Sequence, residues 1–127
     1  MSTNTPIVPT TRAYQYLNRA QQLLEKPRDN QPHSWIQHQK AVNKEGHGCK
    51  PESEQAVAWC TIGVVRAVTF YDDHPDEAYK YVLSLLNMAN PRIIEAGSIP
   101  QVNDRTAFQQ VIHMFEKAKL LAMKFGG

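Results

Sequence analysis

From Ala56 to Phe70 the chain is apolar almost without interruption, and Arg66 is the only charged residue in the run. A helix built from such a stretch has no polar face and must be buried on several sides. Residues 56–70 are therefore expected to form the central helix, with other elements packed around it. Pro51, Glu52 and Glu54 give it a start, because proline suits a first helical turn and acids favour the positive end of the helix dipole. Cys60, Gly63 and Ala67 form a stripe of small residues on it, which would let a neighbour approach closely.

The flanking sequence offers amphipathic helices to surround that run. Ala13, Tyr16, Leu17, Ala20, Leu23 and Leu24 recur at helical spacing until Pro27 stops them, with Arg12, Arg19 and Gln21 expected to face water. Thr10 or Thr11 can cap this helix. Asp72-Asp73-His74 before Pro75 reads as a second helix start, and Ala78, Val82, Leu85, Leu86 and Ala89 give its apolar face as far as Asn90-Pro91. Ile93, Ile94 and Ala96 suggest a further short helical turn. The last helix opens at Thr106, where Thr106 and Gln109 fit the capping box, and Phe108, Val111, Ile112, Phe115, Ala118, Ala122 and Phe125 mark one face.

Residues 28–50 differ. Arg28 to His33 is turn-rich, and Asn43-Lys44-Glu45-Gly46 is a turn in which glycine supplies a positive φ. A small β-hairpin is expected over about residues 35–50, leaning on the helices because a lone hairpin is marginal. The expected fold is mainly α: a compact bundle of four to five helices with that hairpin. Residues 1–9 are expected to be a flexible leader and residues 10–127 a single helical domain.

The charge balance excludes one class of function. With 14 basic and 12 acidic residues the net charge is +2, too even for a dedicated nucleic-acid binder. No apolar stretch is long enough to span a bilayer, and Met1 to Thr11 lacks the basic start and apolar run of a secretory signal. Two cysteines make no disulfide framework, so a cytoplasmic protein with reduced thiols is expected. His47-Gly48-Cys49 has the tightest metal-like spacing, but no second pair accompanies it, and no metal or cofactor is expected. Cys60 falls inside the apolar run as a small hydrophobe, and Cys49 carries no nucleophile signature. No glycine-rich phosphate loop is present. The chain reads more readily as a non-enzyme.

The best polar feature is the elbow Asn103-Asp104-Arg105-Thr106. A helix N-terminus offers backbone donors to an anion, and Arg105 stands beside it. Asn103 and Asp104 are equally good turn and capping residues in their own right, which leaves Arg105 without a structural reason. Asn103, Asp104 and Arg105, with Arg66 and His47, form the candidate ligand-binding set. Arg66 must reach the surface or pair with an acid, Asp104 being the first candidate. Tyr14, Tyr16, Tyr71, Tyr79 and Tyr81 would mark a protein-binding surface if exposed.

Two stretches carry a resemblance. Trp35-Ile36-Gln37 precedes Glu54-Gln55-Ala56-Val57-Ala58-Trp59-Cys60-Thr61-Ile62-Gly63, and Ile99-Pro100-Gln101-Val102-Asn103-Asp104 opens the last helix. Together, over about residues 14–122, they resemble a bacterial and phage family of small proteins classed only as a domain of unknown function. That family pairs a Trp-x-Gln segment with an Ala-x-x-Trp/Phe-Cys-x-x-Gly helix and an Ile-Pro-x-Trp-Asn-Asp elbow. Val102 departs from the pattern where tryptophan is usual. The resemblance implies no activity and no cofactor. The resulting expectation is a non-enzymatic protein-binding or accessory protein of bacterial or phage origin, a modulator with a protein partner or a homodimer. The alternative is a small-ligand or nucleotide-binding protein using the Asn103-Asp104-Arg105 elbow.

Overall fold

The structure, a computed structural model, describes residues 12–91 and 104–125, the side chains of 104–106 excepted. In chain order these contain α1 (Arg12–Glu25), β1 (Ala41–Val42), β2 (Ala58–Trp59), α2 (Thr61–Thr69), α3 (Pro75–Ala89) and α4 (Asp104–Phe125). The architecture is mainly α with one small antiparallel strand pair. The leader, the short turn expected at Ile93 to Ala96 and the cap at Thr10 or Thr11 lie outside the described residues.

Helical periodicity produces the core. In α1, Ala13, Leu17, Ala20 and Leu24 are buried at steps of three and four; in α4, Ala107, Val111, Met114, Phe115, Ala118 and Ala122 are. α1 packs on α2 and α4, and α3 packs on the same two helices. Leu17, Leu24, Leu85, Leu86 and Phe115 are enclosed between them, each stabilising the fold by about 1.5–3 kcal/mol through the water it leaves. α1 and α4 run antiparallel: Gln21 bonds Glu116, and Asn18 bonds Lys119. The start of α1 and the end of α4 therefore share one end of the bundle. Gln21, expected to face water, is buried instead, because its amide nitrogen bridges Glu25 and Glu116.

The hairpin expected within residues 35–50 is present, Val42 bridging Gly48 antiparallel and the Cys49 amide donating to the Ala41 carbonyl, and a further strand joins it. A tight turn does close over Asn43 to Gly46, where Gly46 has φ 82° and Asn43 exchanges bonds with His47. The strand laddered to Ala41–Val42 is Ala58–Trp59, with Ala41 opposite Trp59. This corrects the central helix, which begins at Thr61 rather than Ala56. Residues 51–56 form turns closed by Ser53 on Lys50 and Ala56 on Ser53, and the chain then stays extended. Val57 donates to Val42, Trp59 donates to Ser34 and accepts from Ile36, and these bonds draw the segment into the sheet. A short apolar run suits a buried strand as well as a buried helix, and periodicity alone does not separate them.

The Trp-Cys-x-x-Gly segment thus spans a strand-to-helix junction. The Trp59 indole donates to the Pro51 carbonyl, 2.9 Å away. Cys60, extended at ψ 174°, caps α2, its Sγ accepting the Gly63 amide at 3.3 Å. The Cys60 amide donates to the Lys40 carbonyl, and a Cβ at Gly63 would overlap that same carbonyl. Gly63 is a glycine because a neighbouring backbone, not a helix, occupies its side-chain space.

Candidate functional site

The expected set does not converge. Arg66 leaves the core by turning to α3, where its guanidinium stacks 3.8 Å from the Tyr79 ring centre and pairs with Asp76 at 3.2 Å. An acid partner was anticipated, but the acid is Asp76. Arg66 lies beside Ala67 and Val68, which share a cleft with Tyr16 of α1, and the neighbouring Asn18 meets α4 at Lys119. From 119 back to 104 is about 22 Å at the helical rise of 1.5 Å per residue, beyond the reach of an arginine. His47 sits exposed on the turn after β1, its amide held by Asn43.

Of the elbow, Asn103 and the side chains of Asp104, Arg105 and Thr106 lie outside the described residues. α4 starts at Asp104, so Thr106 stands within its first turn and not at the cap. What the start of α4 meets is visible one turn on. Phe108 stacks on His33 at 4.1 Å between ring centres and lies 6.3 Å from Trp35. Phe108, near the start of α4, therefore approaches the Trp-x-Gln segment, and Trp35 bridges to Trp59. Trp35 Nε1 is buried with no hydrogen-bond partner among the described residues.

The most exposed aromatic group stands at the opposite end, in the turn from α2 to α3. Tyr71 is 85% exposed and Phe70 39%, and their rings meet edge-to-face with centres 4.9 Å apart. The turn that carries them is fixed from below by Asp72. The Tyr16 hydroxyl donates to Asp72 Oδ2 at 2.5 Å, Arg12 pairs with the same oxygen at 3.2 Å, and the His74 amide donates to Oδ1 at 2.8 Å. These donors, the Tyr16 hydroxyl foremost, then the His74 amide, then Arg12, hold the Asp72 carboxyl below its ordinary range. Burial, and after it the bond to Asp72, pushes the Tyr16 phenol up to about 12. Asp72 thereby ties the start of α1 to the start of α3, and the two aromatic rings project from a braced turn.

Charges of both signs stand near the pair, Arg19 and Glu52 lining one cleft with Tyr71. Asp72 is neutralised by Arg12 and Asp76 by Arg66, whereas Asp73 and Glu77 are exposed with no ion pair among the described residues. In the sequence Phe70 closes the apolar run and Tyr71 is one of five tyrosines, so spacing does not join them. The available signal was two adjacent aromatics directly before the Asp-Asp-His-Pro cap, a position beyond the last helical turn that has no core to fill.

Among the described residues no group of three or more histidine, cysteine or acidic side chains is placed to hold a metal, and no helix is long and apolar enough to cross a membrane. No curated protein and no solved structure matches the chain. A family model described as a family of unknown function, DUF6197, matches residues 8–120, and the chain belongs to that family.

Proposed function

We propose that this chain is a non-enzymatic protein-binding module, an accessory or modulator protein of bacterial or phage origin acting in the cytoplasm. The observation that supports this reading is the braced Phe70–Tyr71 pair. Large exposed aromatics are costly to leave in water and are the residues that most often anchor interfaces. Here the turn is already ordered, so little conformational entropy remains to be lost on docking.

The partner is a different protein that offers an apolar pocket with a basic rim. Asp73 in the turn and Glu77 in the first turn of α3 carry charge that is unpaired among the described residues. A two-fold contact between copies through this surface would set those acids against themselves, which disfavours a homodimer here.

Affinity capture from the native host, comparing the wild-type chain with Phe70→Ser/Tyr71→Ser, tests the reading. A partner retained by the wild type and lost by a folded double variant is the expected result. A partner held equally by both, or a wild-type chain that runs alone in native mass spectrometry of the captured material, contradicts it. The alternative ligand reading, at Asn103, Asp104 and Arg105, draws on a cleft of about 790 Å³ lined by His33, Phe108, Gln109, Ile112 and His113 beside the first turns of α4. Thermal stabilisation by a nucleotide, abolished by Arg105→Ala, would favour that reading.

A further inference from the structure

We infer that the cleft at the end of α1 binds a phosphomonoester carried on a small apolar or aromatic body. The cleft encloses about 360 Å³, within the range of small-molecule sites. Lys26, Arg28 and Lys44 line it from two separate segments, over an apolar floor that includes Val57 and Trp59. Asp29 lines it too, so the lining carries a net charge of about +2 from three cations and one acid. Among the described residues none of the three cations has a carboxylate at ion-pair distance, unlike Arg12, Arg66 and Lys119.

The local hydrogen bonds fix the backbone that carries these cations and orient the Arg28 side chain. Pro27 follows the end of α1, and Arg28 and Gln31 then exchange both backbone hydrogen bonds, at 2.9 and 3.0 Å, around Asn30 at φ 61°. Arg28 Nε donates to the His33 carbonyl at 3.1 Å, which orients the guanidinium and leaves its terminal nitrogens for a ligand. The Lys26 carbonyl accepts the Ser34 hydroxyl at 2.6 Å. Lys44 rides on the turn that Asn43 closes with the Glu45 and His47 amides. The Trp59 indole N–H is already used by Pro51, so the ring offers the cleft apolar surface only.

A fork-shaped guanidinium and two ammonium groups suit a compact dianion better than a single carboxylate. The apolar floor adds a contact that free phosphate cannot make. Neither Phe70 nor Tyr71 lines this cleft, so it stands or falls separately from the protein-binding reading.

The probes are phenyl phosphate, inorganic phosphate and phenol, titrated calorimetrically into the full chain at low salt. Phenyl phosphate should bind saturably, roughly tenfold tighter than inorganic phosphate, with phenol silent. Arg28→Gln and Lys44→Gln should each weaken phenyl phosphate by about fivefold or more, and added salt should weaken it further. Lys80→Gln, on the exposed side of α3, and Phe70→Ser/Tyr71→Ser should bind as the wild type does. Lys44 lies on an exposed turn, so its variant keeps the test open if Arg28→Gln fails to fold. Absence of saturable binding, equal binding of phenol, or a Lys44→Gln variant indistinguishable from Lys80→Gln would overturn the assignment.

Discussion

The backbone carbonyl of Lys40 stands where the Cβ of any side chain at residue 63 would have to be. The obstacle is main chain that also accepts the Cys60 amide, so it has little freedom to move. Gly63→Ala should therefore destabilise the fold by about 2–3 kcal/mol, although alanine is the better helix former. Urea denaturation measures this; a loss below about 0.5 kcal/mol would show that the junction yields.

Cys60 acts through its sulfur as a helix cap. A hydroxyl accepts a backbone N–H better than a thiol does, so Cys60→Ser should be neutral or slightly stabilising, and Cys60→Ala should cost about 0.5–1 kcal/mol. Thermal or chemical unfolding of the two variants separates them. Equal losses for both would remove the capping role.

Arg66 makes two contacts of unequal worth. Asp76 is 84% exposed, so the ion pair should add little, and Asp76→Ala should cost only a few tenths of a kcal/mol. Arg66→Ala also loses the stack on Tyr79 and the stem's packing and should cost about 1 kcal/mol. Arg66→Ala and Arg66→Ala/Tyr79→Ala, compared with Tyr79→Ala alone, give the coupling; a coupling of zero would dismiss the stack.

The Asp72 hub predicts the pH profile. Its carboxyl lies below the ordinary value in the folded state, so its contribution is present above about pH 4 and is lost as pH falls through the folded value. Glu116, lowered mainly by its bond from Gln21, acts in the same direction. The Tyr16 phenol is raised to about 12, so its contribution is present below the unfolded value near 10 and is lost as pH climbs toward 12. Asp72→Asn should flatten part of the acid limb and Tyr16→Phe the alkaline limb. Unfolding midpoints measured across pH check both; unchanged limbs would leave the hub without a stabilising role.

Much of this fold was legible from spacing. Ala13, Leu17, Ala20 and Leu24 announce α1, and Pro75 and Asn90 bracket α3, because period and caps are local properties of the chain. The junction at Trp59 and Cys60 was not legible. Whether Ala56 to Trp59 coil or extend is decided by Ser34, Ile36 and Val42, which are remote in sequence and hold free hydrogen-bonding groups only once folded. The same is true of Gln21, whose burial depends on Glu116 across the bundle. The candidate site was missed for a related reason. Exposure of Tyr71 follows from where α2 ends, and that boundary was obscured by the unbroken apolar run before it.

The most direct test of the binding role places a photo-reactive benzoylphenylalanine at residue 71 and, as a control, at Gln22, which is exposed on α1. Illumination in the native host, followed by mass spectrometry, reads which proteins lie within reach. A discrete adduct from position 71 to a protein with a basic-rimmed apolar pocket, and none from position 22, is the expected result. The same adducts from both positions, or none from position 71, would contradict it.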